Sequence, residues 1–286
     1  DTDTEIVAHL VDMACDRGEA LFEAVRSTLL RLRGAYAIAV LSRADPTRIL
    51  LAKNASPLVL GVGEGVMLAA SDVPALLAHT RDVIFLEDGD LAEITRNGAR
   101  IERVEGGVVE RPVTRITWSL MQAERGGYKH FMLKEIHEQP RALEDTLRGR
   151  VLLEKGGLEA GEMGIDEEAA KAVKRVVFLA CGTSYHAALH GRYLLESLAR
   201  VPAVAELASE FRYRDPVVGD GDLVVAVSQS GETADTLAAA KEARARGARI
   251  LAVVNVQGSA IARAAQGTRY THAGPEIGVA STKCCT

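Results

Sequence analysis

The sequence predicts an α/β chain in two parts: an N-terminal α+β half, then a doubly wound parallel sheet with helices on both faces. Three observations carry this. Residues 223–227 and 250–254 are apolar runs that do not alternate with polar residues, and they flank a segment rich in Ala, Lys, Glu and Arg. That is the pattern of two buried parallel strands joined by a right-handed helical crossover. Residues 176–180 form another such run with its own helical segment after it. Before residue 105, helical spacing gives way to short apolar runs separated by turn residues.

Taken in order, residues 4–15 place Ile6, Val7, Leu10, Val11 and Ala14 at helical spacing, with Thr4 or Asp3 able to cap. Residues 19–33 repeat the pattern with Leu21, Phe22, Val25, Leu29 and Leu32, and Gly34 ends it. Residues 35–41, 49–52, 58–62 and 66–69 read as strands, 72–78 as a short helix, and 83–86, 91–95 and 99–104 as strands around Asp88-Gly89 and Asn97-Gly98. Residues 111–117 are polar, contain Pro112, and read as an inter-domain linker. Residues 156–164 are a turn-rich connection, and 167–174 are amphipathic. The strand at 176–180 leads through Cys181-Gly182-Thr183-Ser184 into a helix over 185–200, which Pro202 stops. The strand at 223–227 turns through Ser228-Gln229-Ser230-Gly231-Glu232-Thr233 into a helix over 234–246. Gly247 suits the position after that helix, and Arg244 and Arg246 suit its negative end. A helix over 259–265 and a strand over 269–272 complete a sheet of roughly five parallel strands.

The chain has 286 residues, 48% of them hydrophobic, enough for two domains with cores. A net charge of −5 argues against a nucleic-acid or anionic-membrane surface. No apolar run is long enough to span a bilayer. The acidic start Asp1-Thr2-Asp3-Thr4-Glu5 is no signal peptide, and a first residue other than Met reads as a fragment or processed product. Cys15, Cys181, Cys284 and Cys285 show no Cys-x-x-Cys spacing, so the expected compartment is the reduced cytoplasm.

The chemistry concentrates in the strand-to-helix loops. Ser228, Ser230 and Thr233 surround a helix N-terminus, where free N–H groups and the dipole favour an anion. Gly231 allows close backbone approach. Neither a P-loop nor a dinucleotide fingerprint is present. A hydroxyl cradle without Lys or Arg suits a small phosphomonoester such as a sugar phosphate; an ordinary N-cap cluster is the alternative. Thr183 and Ser184 would open at the same carboxyl edge of the sheet, where ligands bind in open α/β folds. Cys181 reads as a small residue closing a buried strand rather than a nucleophile. His186 and His190 have i, i+4 metal spacing but no third ligand, so no metal site is expected. Glu196 reads as a solvated face residue.

Four segments in order resemble glutamine–fructose-6-phosphate aminotransferases, in their first sugar isomerase (SIS) domain: Cys181–Ser184, Ala208-Ser209-Glu210-Phe211-Arg212-Tyr213-Arg214, the loop at 228–236, and Glu276-Ile277-Gly278-Val279-Ala280-Ser281-Thr282-Lys283. Residues 128–140, with Lys134-Glu135-Ile136-His137-Glu138-Gln139-Pro140, resemble the family's linker helix, and 141–150 continue it as a charged helix. Arg33-Gly34-Ala35-Tyr36, Ser56-Pro57-Leu58, Ala70-Ser71-Asp72 and Phe85–Asp90 resemble its N-terminal-nucleophile glutaminase domain.

The resemblance implies three regions: residues 1–110 as the C-terminal part of a glutaminase sandwich, 111–164 as linker and linker helix, and 165–286 as a truncated, flavodoxin-like first SIS domain. It implies conversion of fructose 6-phosphate and glutamine to glucosamine 6-phosphate and glutamate, without cofactor or metal, in a cytoplasmic homodimer that binds neither nucleic acid nor membrane. It assigns sugar-phosphate contacts to Thr183, Ser184, Ser228, Gln229, Ser230, Thr233, Val279 and Ser281, and a glutamine contact to Asp3. The family's nucleophilic cysteine, isomerising base, Schiff-base lysine and ring-opening histidine have no counterpart here, so no catalytic residue is expected within the chain. Lys283 is not that lysine. Cys284 and Cys285 depart from the family's Ala-Phe, and the last three residues read as the end of a truncated or frameshifted frame. A sugar-phosphate sensor built on an SIS domain, or a related deglycase or isomerase, is the alternative class; the glutaminase-like half argues against both.

Overall fold

The computed structural model describes residues 2–116, 125–152, 157–158 and 164–285. Asp1, residues 117–124, most of the expected turn-rich connection and Thr286 lie outside the described residues. The chain divides into two compact units, residues 1–117 and 118–286.

The N-terminal unit begins with α1 (Asp3–Asp16) and α2 (Leu21–Leu29). Strands β1 (Tyr36–Ser42), β2 (Asp45–Asn54), β3 (Val59–Gly63), β4 (Val66–Ala70), β5 (Asp82–Phe85), β6 (Asp90–Thr95), β7 (Gly98–Arg103) and β8 (Val113–Arg115) follow. They form two antiparallel sheets, ordered β1-β2-β6-β7 and β4-β3-β5-β8. Alternation along β2 and β6 gives the first sheet two apolar faces. Leu50, Ala52 and Leu91 face the helices, meeting Val11, Ala14, Phe22 and Val25. Leu51, Ala92 and Ile94 point the other way, against Leu58, Leu60, Ile84 and Leu86 of the second sheet. The unit is therefore a helix layer over two stacked sheets.

Two expectations change here. Residues 72–78 form only a single 3₁₀ turn, at Val73–Ala75. Residues 113–115, read as linker, are strand β8, paired with β5. Pro112 stands just outside the strand and Val113 and Thr114 are β-branched, so an edge strand forms where composition alone read as linker.

The C-terminal unit opens with α3 (Phe131–Leu147), one continuous helix with Pro140 inside it. The short pair β9 (Val151–Leu152) and β10 (Gly157–Leu158) and helix α4 (Glu167–Lys171) lead to the main sheet. Its parts are β11 (Arg175–Ala180), α5 (Gly182–Leu194), β12 (Ala203–Leu207), α6 (Ala208–Phe211), β13 (Asp222–Ser228), α7 (Ala234–Ala245), β14 (Arg249–Val254), α8 (Ala260–Ala264) and β15 (Gly267–Tyr270). All five strands are parallel, in the order β12-β11-β13-β14-β15. Relative to the chain this is 2-1-3-4-5, the flavodoxin-like winding, whose switch point lies between β11 and β13.

Helices α6, α7 and α8 cover one face, where Phe211, Leu237, Ala240 and Ile261 pack on Leu179, Ala226 and Ala252. Helix α5 lies on the other face. Ala188 is buried there, and Gly191 lets the helix approach the Phe178 ring so closely that a Cβ would sit 3.1 Å from it. This helix starts three residues earlier than the spacing predicts and passes into a π-helical turn over Leu195–Ala199, closed by Arg200 at φ +57°. Strand β12 was not marked by the apolar pattern. It is a sheet edge, so only Ala203 is fully buried.

Candidate functional site

Three segments enclose a cleft of about 440 Å³ at the carboxyl edge of the parallel sheet, over the switch point: residues 181–184, 227–233 and 278–281. Thr183, Ser184, Ser228, Gln229, Ser230, Thr233, Val279 and Ser281, the sugar-phosphate residues implied by the resemblance, all line it. Asp3 belongs to the N-terminal unit; it is exposed in the first turn of α1, and its carboxylate accepts the Thr4 N–H at 2.9 Å.

The second loop is held by its own hydrogen bonds. Ser228 Oγ and Thr233 Oγ1 share a 2.9 Å hydrogen bond, and Ser228 Oγ accepts the Gly231 N–H at 3.1 Å. Ser230 Oγ accepts the Glu232 N–H at 3.1 Å. Segment 255–261 holds the loop from behind. Asn255 N–H donates to Gln229 O at 3.0 Å, Ile261 N–H to Gly231 O at 2.9 Å, and Ala260 N–H to Glu232 Oε1 at 2.7 Å. Gly231 sits at φ +66°, and a Cβ there would lie 2.0 Å from Ser259 Oγ. Conformation and space both require glycine at this position.

In the first loop Gly182 also has positive φ, +58°, and starts α5 directly from the strand. Ser184 is buried, and its Oγ lies 3.2 Å from Cys285 Sγ. Cys285 Sγ in turn donates to Ser281 Oγ at 3.2 Å, so one thiol bridges two of the cleft hydroxyls. Cys181 precedes α5, packs against the core and receives a 3.9 Å contact from Thr236 Oγ1. Among the described residues, no three His, Cys, Asp or Glu side chains are grouped to hold a metal ion.

The third segment is folded around buried carboxylates that spacing did not single out. Glu276 accepts N–H groups from Thr282 at 2.6 Å and Lys283 at 3.0 Å, and the Ser281 hydroxyl at 2.5 Å. Glu135 of α3 accepts N–H groups from Ile277 at 2.6 Å and Gly278 at 3.0 Å. Lys283 Nζ reaches Glu138 at 2.6 Å. Lys134, Glu135 and Glu138 occupy consecutive turns of one helix face, and the burial of the first two is the signal that sets them apart from a solvated charge run. Cys284 is held against Glu276. Burial first, and then that carboxylate, push its thiol far above the ordinary value.

Among the described residues, the cleft lining contains no Lys, Arg, His, Asp or Glu. An anion bound there would rest on hydroxyls and on the N-terminal ends of α5 and α7.

The model of the SIS domain matches residues 171–286. A glutamine–fructose-6-phosphate aminotransferase (isomerizing) of Symbiobacterium thermophilum is 56% identical over 99% of the chain and 46% of its own length. One of Thermus thermophilus is 51% identical over 100% of the chain and 46% of its own length. Residues 171–286 are a SIS domain, in a chain whose whole length is similar to these aminotransferases. The chain spans about half the length of these curated relatives, 46% of each. Among solved structures, the C-terminal domain of the glucosamine-fructose-6-phosphate aminotransferase from Francisella tularensis is 42% identical, with a TM-score of 0.51, over 57% of this chain and 45% of that one. The five parallel strands and their helices thus belong to a SIS domain, and Ser184, Ser228 and Ser281 lie inside it. No helix among the described residues is long and apolar enough to cross a membrane.

Proposed function

We propose that the chain is part of a glutamine-dependent aminotransferase that makes glucosamine 6-phosphate from fructose 6-phosphate, and that its SIS domain binds the sugar phosphate. One observation carries the reading. Three hydroxyl-bearing segments and two helix N-termini converge on one uncharged cleft at the switch point of the sheet. In this reading Ser228, Ser230 and Thr233 take the phosphate, while Thr183, Ser184, Gln229, Ser281 and the segment at Val279 meet the sugar. Val279 is fully exposed, so its contribution is backbone rather than packing.

The relatives' names support the same chemistry, and the helix layer over two stacked sheets is compatible with a glutaminase half in which Asp3 holds the amino group of glutamine. The resemblance also carries with it a homodimer in the cytoplasm. A ketose-to-aldose conversion needs a base that moves a proton between neighbouring carbons, and an amine that forms an imine with the sugar. The cleft lining offers neither, so its part in the reaction is to hold and orient the substrate.

Calorimetry with glucosamine 6-phosphate tests this. Wild type should bind, and Ser230→Ala should lose about 1.5–3 kcal/mol, a weakening of roughly 10- to 150-fold. Equal affinity in two folded proteins would remove Ser230 from the site, and no binding by wild type would remove the reading.

A further inference from the structure

The third wall of the cleft is built differently from the first two. Segments 181–184 and 227–233 join a strand of the sheet to a helix, so the sheet itself places them. Segment 276–283 follows the edge strand β15 and belongs to no strand or helix. It is folded around its own Glu276, which accepts the Thr282 and Lys283 N–H groups, and it is tied from outside to α3. Glu135, with 2% of its surface exposed, binds the backbone N–H groups of Ile277 and Gly278, at the near end of the tripeptide Val279-Ala280-Ser281. Glu138 binds Lys283, beyond its far end, and also pairs with Lys134 at 3.4 Å. Lys134 and Lys283 are 6% and 5% exposed. Gly278 has no room for a side chain, since a Cβ would lie 2.5 Å from Glu135 Oε2.

Burying charged groups costs free energy unless each finds partners. Here two lysines and Glu135 are sunk together beside the half-buried Glu138, and what they hold in place is the backbone just before a ligand-facing tripeptide and the Lys283 side chain just after it. We infer that Glu135 and Glu138 of α3 are positioning residues: they clamp segment 277–283 at both ends and so set where the Val279–Ser281 wall stands against the sugar. The inference rests on the sugar-phosphate reading for its ligand, but the clamp itself can be observed without one.

The experiment uses the whole chain as wild type, Glu135→Ala and Glu135→Gln. Glutamine keeps a carbonyl oxygen where Glu135 Oε1 now accepts both N–H groups. Binding of glucosamine 6-phosphate and of inorganic phosphate is measured by calorimetry, and amide exchange at 277–281 is followed in the ligand-free protein. Glu135→Ala should weaken the sugar phosphate roughly tenfold or more and speed exchange at 277 and 278 by a similar factor. Inorganic phosphate, seated in the loop at 228–233, should change less than about twofold, and Glu135→Gln should recover most of the loss. A folded Glu135→Ala that binds both ligands as wild type does, or loses both equally, would overturn the inference and leave the ligand reading standing. If wild type binds neither ligand, the ligand reading falls, and exchange alone decides: unchanged exchange at 277 and 278 ends the clamp, faster exchange supports it.

Discussion

Replacing Gly231 by alanine tests whether the second loop has the geometry described. The backbone there is left-handed, φ +66°, which costs an L-residue about 1–2 kcal/mol. The new Cβ would also stand 2.0 Å from Ser259 Oγ and 2.5 Å from Ser259 Cβ, with Val254 Cγ1 at 3.3 Å. Ser259 is fully buried and cannot retreat freely. The two residues after it are tied to the loop through Ala260 N–H to Glu232 and Ile261 N–H to Gly231 O. Overpacking of this kind costs about 1–3 kcal/mol, so the sum is about 2–5 kcal/mol. The double variant Gly231→Ala/Ser259→Gly removes both of the closest atoms. Among the described residues Ser259 Oγ has no hydrogen-bond partner and Ser259 makes no side-chain cap bond to α8, so Ser259→Gly alone should cost only a few tenths of a kcal/mol. The double variant should therefore regain about 1–3 kcal/mol over the single one, keeping only the conformational cost. Urea denaturation followed by circular dichroism gives all four stabilities. A single variant within about 0.5 kcal/mol of wild type, or a double variant no better than the single, would show that the loop does not approach Ser259 as described.

Three further outcomes follow from ionisable groups that the fold buries wholly or in part. Asp90 is fully buried, pairs with Arg111 at 2.9 Å through both oxygens and accepts the Glu87 N–H at 2.8 Å. Asp90→Ala should cost the N-terminal unit about 3–5 kcal/mol, read by urea denaturation; a loss under 1 kcal/mol would mean the pair is dispensable. Burial acts to raise the Asp222 carboxyl, but the Arg175 guanidinium and the Gly219 N–H outweigh it and hold it below its ordinary value. A depressed carboxyl stabilises the fold above its unfolded pKa, about 4, and that contribution disappears as pH falls through the folded value. The stability gap between wild type and Asp222→Asn should thus be constant above pH about 5 and shrink below about 4; a gap that widens on acidification would reverse the sign. The Cys284 thiol, raised by burial and by Glu276, should resist iodoacetamide at pH 8 until denaturant is added, which peptide mapping by mass spectrometry would report; rapid labelling in the folded protein would contradict its placement.

The strand–loop–helix–strand unit from β13 to β14 was legible because its strands are buried on both faces. Leu223–Val227 therefore shows no alternation, and Gly247 marks the helix end. The hydroxyl loops were legible for the same reason, since each follows a recognisable strand. Strand β12 was not, because an edge strand buries little, and Ala203 is its one fully buried residue. Strand β8 hid in a polar stretch because pairing with β5, not its own composition, makes it a strand. The start of α5 was misplaced because Gly182, a weak helix former, begins the helix at positive φ. The clamp was illegible altogether. Glu135 and Ile277 are 142 positions apart, and no periodicity brings a loop to a helix. Charged residues on a helix read as solvated, whereas Lys134 and Glu135 are buried.

The strand order explains why the site needs that clamp. At the switch point β11 and β13 are neighbours, but the helices after them leave toward opposite faces of the sheet, α5 to one and α7 to the other. The loops therefore diverge, and a crevice opens between two helix N-termini. Each N-terminus contributes about half a positive charge through its amides, enough to favour a phosphate without a cation. Lys283 is not free to supply one, since it is 5% exposed and bound to Glu138 at 2.6 Å. Such a crevice has two walls set by the sheet and an open side. Segment 278–281 closes that side, and having no strand of its own, it is held by Glu276 from within and by α3 from outside. In the proposed reading the phosphate end of the ligand answers to the sheet and the sugar end to the wall that α3 holds, so perturbing the helix should change which sugar fits before it changes whether a phosphate binds.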